Sequence, residues 1–99
     1  SEWVKKVERV GNLNYPDDAR REGLSGKLVM DVTMNADGTV RNISILRPSG
    51  HAVIDEAAIR IVNLAAPFAP FPSEILKDAD ILHITRTWEF STAHRMKSH

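Results

Sequence analysis

Alternation of apolar and polar residues from Lys27 to Met34 predicts the clearest strand of the chain. The residues of its apolar face are Leu28, Met30, Val32 and Met34. A turn at 35–38, which ends in a glycine suited to a positive φ, leads into a second strand from Thr39 to Arg47. The alternation of apolar and polar residues is interrupted near Arg41 and Asn42. We expect a β-bulge there that returns the apolar residues on its two sides to the same face.

Three other segments show helical spacing. The apolar residues of 1–11 recur every three or four positions, which predicts an amphipathic N-terminal helix that ends at Gly11-Asn12. Pro16 suits the start of a second, short helix, and Gly23 suits its end. The segment from Val53 to Ala65 predicts a third helix whose apolar residues face the sheet.

The segment 81–90 predicts a last strand, which follows the third helix and a loop at 67–72. From Leu82 onward, apolar and polar residues alternate, except for Arg86, which falls on the apolar side. For Arg86 we expect a structural contact, to a carboxylate or an aromatic ring, rather than a partner contact. The apolar phase holds Leu82, Ile84, Trp88 and Phe90, and the polar phase holds His83, Thr85, Thr87 and Glu89. The loop contains Phe68 and Phe71, which we expect to hold it against the core.

These elements predict an α+β fold, a three-stranded antiparallel sheet with helices packed on one face. The third strand pairs with the first and lies at an edge of the sheet. One domain covers residues 1–90. Residues 91–99 carry almost no β-branched or aromatic side chain, so we expect a flexible tail and no fourth strand. An edge strand leaves backbone groups free to pair with another peptide, which indicates binding rather than catalysis.

The composition excludes several classes of partner. The 99 residues include 13 basic and 13 acidic ones, and this balance argues against nucleic acid or an anionic membrane as the main partner. No apolar run approaches the roughly 20 residues that span a bilayer. The chain has no cysteine, so no disulfide holds the fold together.

Candidate catalytic groups are present but scattered. The residues considered are His51, His83, His94, His99, Asp55, Asp78 and Asp80. No two histidines have the helical spacing of metal ligands, and Ser49-Gly50 is not flanked as a nucleophile elbow is. We therefore expect no enzymatic activity, no cofactor and no metal site.

A series of short motifs runs through nearly the whole chain. In order they are Val7-Glu8-Arg9-Val10-Gly11-Asn12, Tyr15-Pro16, Ala19-Arg20, Gly23, Gly26, Asp37-Gly38, Ser49-Gly50, Asp55-Glu56-Ala57-Ala58, Pro67-Phe68-Ala69-Pro70-Phe71-Pro72 and Thr85-Arg86-Thr87-Trp88-Glu89-Phe90. With these motifs in this order, the chain resembles the C-terminal domain of the TonB family, the energy transducers of Gram-negative bacteria.

The resemblance implies a periplasmic domain whose inner-membrane anchor and proline-rich spacer lie on its N-terminal side. The anchor works with ExbB and ExbD, and the domain binds the TonB box of TonB-dependent outer-membrane transporters, so that iron chelates, cobalamin or similar nutrients pass. The box adds as a strand beside the last strand, which in this chain is Ile81, Leu82, His83, Ile84, Thr85, Arg86, Thr87, Trp88, Glu89 and Phe90. A secondary contact is expected at Asn12, Asn14, Tyr15 and Pro16.

Two alternatives remain open from the sequence. One is a structural module linking the two membranes, as in the similarly folded TolA family. The other is a TonB paralogue that serves a process other than nutrient uptake. An exposed edge strand also favours a homodimer as readily as a peptide complex.

Overall fold

The computed structural model describes residues 1–76 and 80–99 of the chain. Its elements, in chain order, are α1 (Glu2–Leu13), α2 (Asp17–Glu22), β1 (Gly26–Asn35), β2 (Val40–Arg47), α3 (Ala52–Ala65), α4 (Ser73–Leu76), β3 (Ile81–Phe90) and β4 (Met96–Ser98). The α+β class, the hairpin and the three main helices are confirmed. The short helix α4 has no counterpart in the sequence predictions.

The sheet is antiparallel and has the order β2-β1-β3-β4. β3 pairs with β1 along its whole length, from Gly26 opposite Phe90 to Asn35 opposite Ile81, as the sequence predicted. The register of β1 and β2 shifts where Thr33 and Met34 meet β2, which confirms the bulge expected near Arg41. A second shift, beside Leu46, was not predicted.

The prediction of three strands, with no fourth strand in the tail, was wrong. Met96–Ser98 forms a fourth strand that pairs with Trp88–Phe90. Met96 is almost fully buried in the core, with 2% of its surface exposed. Burial of this one apolar side chain, rather than the β-propensity of the segment, accounts for the strand.

The predicted end of the first helix at Gly11-Asn12 was also wrong, because α1 continues through both residues to Leu13. Gly11 is buried inside the helix, and a Cβ placed on it would come within 2.4 Å of the Met96 sulfur. The glycine therefore makes room for Met96 beneath α1. It acts through close packing and not as a helix terminator.

The core lies between the helices and one face of the sheet. Trp88, Phe90, Leu28, Met30 and Ile61 are among its largest buried side chains. The expected core role of the apolar phase of β3 is thus observed, with Trp88 and Phe90 fully buried and Leu82 and Ile84 half-buried. The opposite face of the sheet carries mostly polar residues and is open to solvent.

The loop at 67–72 is held against the turn between β1 and β2. The Phe68 N–H donates to the Gly38 carbonyl at 2.8 Å, and the Phe71 N–H donates to the Ala36 carbonyl at 3.0 Å. Gly38 has a φ of 90°, and a Cβ there would meet the Phe68 carbonyl, so this position requires glycine. Both phenylalanines are buried, as expected. None of the helices within the described ranges has the length and apolar character needed to cross a membrane.

Candidate functional site: the open edge of β3

The outer edge of β3 is covered only at its C-terminal end. β4 pairs with Trp88–Phe90, and the His99 N–H donates to the Thr87 carbonyl at 2.9 Å. Among the described residues, nothing pairs with the outer side of Ile81–Arg86. The predicted strand of ten residues therefore offers a free edge along its first six.

The direction of the free backbone groups follows from the ladder. In an antiparallel pair, residues that bond to one neighbour alternate with residues that bond to the other. Since Thr87 points its carbonyl at the outer side, Ile81, His83 and Thr85 do so as well. These three residues present a row of N–H and C=O groups to solvent, which is a template for an added strand.

The other edges of the sheet are protected. β2 is bulged at two places and carries Arg41 and Arg47, features that oppose regular pairing. The outer side of β4 is capped by α1: the Met96 N–H donates to Asn12 Oδ1 at 2.9 Å, and the Ser98 N–H donates to Glu8 Oε2 at 3.0 Å. The first half of β3 is therefore the stretch of edge best suited to pairing in the described part of the chain.

A polar cluster lies on the solvent face beside this edge. The Thr85 hydroxyl donates to Asp31 Oδ1 at 2.6 Å, and His83 Nδ1 lies 3.0 Å from Asp31 Oδ2 and 3.2 Å from the Thr33 hydroxyl. The Thr85 bond first, and then the His83 bond, hold the pKa of Asp31 below its ordinary value. These cross-strand contacts join β3 to β1 on the solvent face, in addition to the backbone ladder.

The candidate catalytic residues do not converge. His83 bonds through Nδ1 to Asp31, whereas His51 stands at the start of α3 and His94 lies beside the Tyr15 ring. The fourth, His99, bonds to Glu89 at 2.7 Å. Asp78 falls outside the described residues. Within the described ranges, no three side chains come together in a way that could hold a metal ion.

The expected secondary contact residues lie at the other end of β3. Tyr15 is buried, its ring lies 5.7 Å from that of Phe90, and its hydroxyl donates to the Ser91 carbonyl at 2.9 Å. Burial raises the pKa of that hydroxyl. Pro16 is also buried, and Asn14 donates to a carbonyl of its own helix. Tyr15 therefore meets the predicted strand at Phe90, its covered end, and seven residues at about 3.3 Å each separate that end from His83 on the open edge.

Two contacts of the tail could not be read from the sequence. Asn12, for which a partner contact was predicted, accepts a hydrogen bond from the Met96 N–H through its side-chain oxygen. Arg86 makes a structural contact, but it donates to the Ser98 hydroxyl at 3.0 Å rather than to the expected carboxylate or aromatic ring. Nothing in the sequence marks Met96 or Ser98 as a neighbour of α1. Their hydrogen bonds to Asn12 and Glu8 each span more than eighty residues of chain, and the packing of Met96 depends on the glycine at 11.

Comparison with known proteins decides the family. Residues 11–92 match the family described as Gram-negative bacterial TonB protein C-terminal. The chain belongs to the TonB C-terminal family. Of the two families weighed from the sequence, TonB and TolA, the match is to TonB.

Individual TonB proteins show the same relationship. The chain is similar to Protein TonB of Helicobacter pylori, with 32% identity over 76 residues, which is 75% of this chain and 27% of that protein. It is similar to Protein TonB of Pseudomonas putida, with 33% identity over 67 residues, 68% of this chain and 28% of that protein. The chain thus spans little more than a quarter of the TonB relatives it matches.

The fold agrees with a solved TonB domain. An NMR solution structure of the Helicobacter pylori TonB-CTD superposes with a TM-score of 0.67 at 25% identity, covering 91% of this chain and 80% of that one. A second structure of that domain, at 23% identity, gives a TM-score of 0.68. The chain, with its strand order β2-β1-β3-β4, therefore has the fold of a TonB C-terminal domain.

Proposed function

We propose that this chain is the partner-binding domain of a TonB-type energy transducer and that it binds the TonB box of outer-membrane transporters by strand addition along Ile81–Arg86. The observation that carries the proposal is the row of backbone groups on β3 that no described residue pairs with, in a sheet whose other edges are bulged or capped. Backbone pairing tolerates many side-chain sequences, which suits a domain that serves several transporters.

The remaining parts of the proposal follow from the family. The domain lies in the periplasm, at the end of a protein anchored in the inner membrane, where ExbB and ExbD supply energy from the proton-motive force. Pulling on the box opens the transporter to iron chelates, cobalamin or similar nutrients. The domain itself catalyses no reaction and needs no cofactor, because the titratable side chains around the edge make structural bonds instead of converging.

The test uses one position of the open edge in two variants. Thr85→Pro removes an outward N–H without removing a bond to β1, whereas Thr85→Val keeps that N–H and removes only the hydroxyl bond to Asp31. We expect Thr85→Pro to weaken binding of a TonB-box peptide by about tenfold and Thr85→Val to bind nearly as wild type. Amide NMR shifts during the titration should be largest along 81–86.

Two results would contradict strand addition. One is equal affinity of the proline and valine variants. The other is a set of largest shifts in α3 rather than in β3. A second copy of the chain is a competing occupant of the same edge, and sedimentation of the free domain over a range of concentrations measures that competition.

A further inference from the structure

Methionine supplies all the sulfur of the chain, because the sequence contains no cysteine. The three thioethers belong to Met30 and Met34 on β1 and to Met96 on β4. All three side chains are buried, with 0%, 2% and 2% of the residue surface exposed in that order. Exposure in the folded state therefore does not distinguish them, and a difference in their reactivity depends on which part of the fold opens.

The strand that carries Met96 is held less firmly than β1. β1 lies between two strands, and it pairs with β3 along its whole length and with β2 on the other side. β4 has three residues, and its strand partner among the described residues is Trp88–Phe90 of β3. Separation of β4 breaks few backbone bonds, whereas exposure of Met30 or Met34 requires the central strand to open. Met96 is therefore the methionine that local opening brings into contact with solvent.

The place that the Met96 sulfur occupies has no room for an added oxygen on the side of α1. The sulfur packs so closely against Gly11 that a Cβ on that glycine would overlap it, and Ile61 of α3 borders the same space. Oxidation to the sulfoxide adds an oxygen atom and makes the side chain polar. A polar atom that is buried in apolar surroundings without a hydrogen bond is costly. Oxidation of Met96 should therefore keep β4 from returning to its place.

We propose that Met96 is a reversible oxidation site and that its sulfoxide releases β4 from the edge of β3. The oxidant is hydrogen peroxide. The thioether sulfur attacks one peroxide oxygen, so that an S–O bond forms and the O–O bond breaks. The sulfur loses two electrons, and the proton of the transferred hydroxyl passes to the departing oxygen, which leaves as water. Two thiols reverse the step, and they give a disulfide, water and the thioether.

Release of β4 lengthens the open edge of β3. Thr87 and Glu89 direct backbone groups to the outer side, where Lys97 of β4 and the His99 N–H cover them. Once uncovered, these groups extend the row that Ile81–Arg86 already presents. This effect on partner binding rests on the strand addition proposed above, whereas the oxidation of Met96 does not.

The first experiment measures which methionine reacts. The chain is incubated with hydrogen peroxide, and the sulfoxide at each position is followed by mass spectrometry of its peptides. We expect Met96 of the folded protein to be oxidised at least about tenfold faster than Met30 and Met34. In guanidinium chloride the unfolded chain should show similar rates at all three, which controls for intrinsic reactivity. Equal rates in the folded protein would overturn the proposal.

The second experiment measures whether the oxidised protein releases β4. The Glu89 N–H faces β4, whereas the Trp88 N–H bonds to β1, so hydrogen exchange at these two amides reports release and global unfolding separately. Peroxide should remove the protection of Glu89 in the wild-type chain and leave that of Trp88. Methionine sulfoxide reductase with a thiol should restore it.

Two variants of Met96 complete this experiment. Met96→Leu nearly conserves the volume and has no sulfur, so peroxide should leave its Glu89 protection unchanged. Met96→Gln places a polar side chain of similar length there, and it should lack that protection without peroxide. Two results would overturn the proposal. One is an oxidised wild-type chain with unchanged protection at Glu89, and the other is loss of protection at Trp88 as well, which would mean that oxidation unfolds the domain.

Peptide binding tests the effect on the edge separately from strand addition. The probes are a TonB-box peptide of six residues and one extended to ten residues, the length of β3. We expect the longer peptide to bind Met96→Gln several-fold more tightly than Met96→Leu, and the shorter one to bind both alike. If the longer peptide also binds both alike, the released edge takes no strand and the effect on binding is wrong. If neither peptide binds, strand addition is wrong, and the mass-spectrometry and exchange results still decide the oxidation of Met96.

Discussion

Replacing Met96 by alanine tests whether β4 is a docked part of the fold. Met96 is 2% exposed and lies under Gly11 of α1, so the substitution removes buried apolar atoms and leaves a cavity. Core Met→Ala changes cost about 2–5 kcal/mol. A three-residue strand near the end of the described chain can relax, so we expect the low end, about 2–3 kcal/mol.

The size of this effect makes it easy to measure. In a domain of about 100 residues, 1 kcal/mol lowers the melting temperature by about 4–8 °C, so Met96→Ala should lower it by about 8–24 °C. Thermal unfolding followed by tryptophan fluorescence measures the shift. Lys97→Ala is the matched control, since its side chain is exposed on the same strand and its effect should stay within about 0.5 kcal/mol.

Hydrogen exchange distinguishes loss of β4 alone from loss of global stability. Release of β4 would expose the outward N–H group of Glu89, which lies opposite Lys97, to solvent, while Trp88, bonded to β1, stays protected. A Met96→Ala protein that melts within about 3 °C of wild type, with unchanged protection at Glu89, would refute the docking of β4. The tail would then be flexible, as its composition alone suggested.

Two further predictions concern β3 and its neighbour β1. Trp88→Ala should destabilise the domain by about 3–5 kcal/mol. Trp88→Phe should cost clearly less, because Trp88 Nε1 is buried without a hydrogen-bond partner in the described residues, so the substitution breaks no hydrogen bond. Urea unfolding of both variants checks the difference. Because the folded-state pKa of Asp31 lies below its unfolded value, its contribution to stability is present above about pH 4 and is lost as pH falls through the lowered value, so Asp31→Asn should flatten the acid side of the stability–pH curve. An unchanged curve for Asp31→Asn would show that the bonds to Thr85 and His83 do not act on the carboxylate in solution.

Local sequence signals were sufficient where one element determines its own structure. The alternation along 27–34 predicted β1 and its buried face, and the turn glycine at 38 predicted the hairpin, because period and backbone freedom are properties of neighbouring residues. The faces of β3 followed in the same way. The bulge near Arg41 could be inferred because the alternation of apolar and polar residues along β2 is interrupted there. A bulge must restore that alternation for one face of the strand to stay against the core.

Tertiary contacts decided the features that the sequence analysis missed. Gly11 has the residue type that commonly ends a helix, yet it continues α1 because Met96 occupies the space that a side chain would fill. Met96–Ser98 has weak β-propensity, yet side chains of α1 satisfy its outer N–H groups. For the candidate site, the strand was predicted but its covered half was not, since that depends on where the tail docks.

The length of the open edge limits what backbone pairing can contribute to binding. Ile81, His83 and Thr85 offer three N–H and three C=O groups, and at about 0.5–1.5 kcal/mol net for each bond this amounts to roughly 3–9 kcal/mol. Association and ordering of an extended peptide cost about 4–15 kcal/mol, so the backbone bonds alone give weak binding at best. Useful affinity therefore requires side-chain contacts, and the half-buried apolar side chains of Leu82 and Ile84 lie on the same strand as those backbone groups. Peptides of equal length should consequently differ in affinity according to the side chains that they place on the helix face.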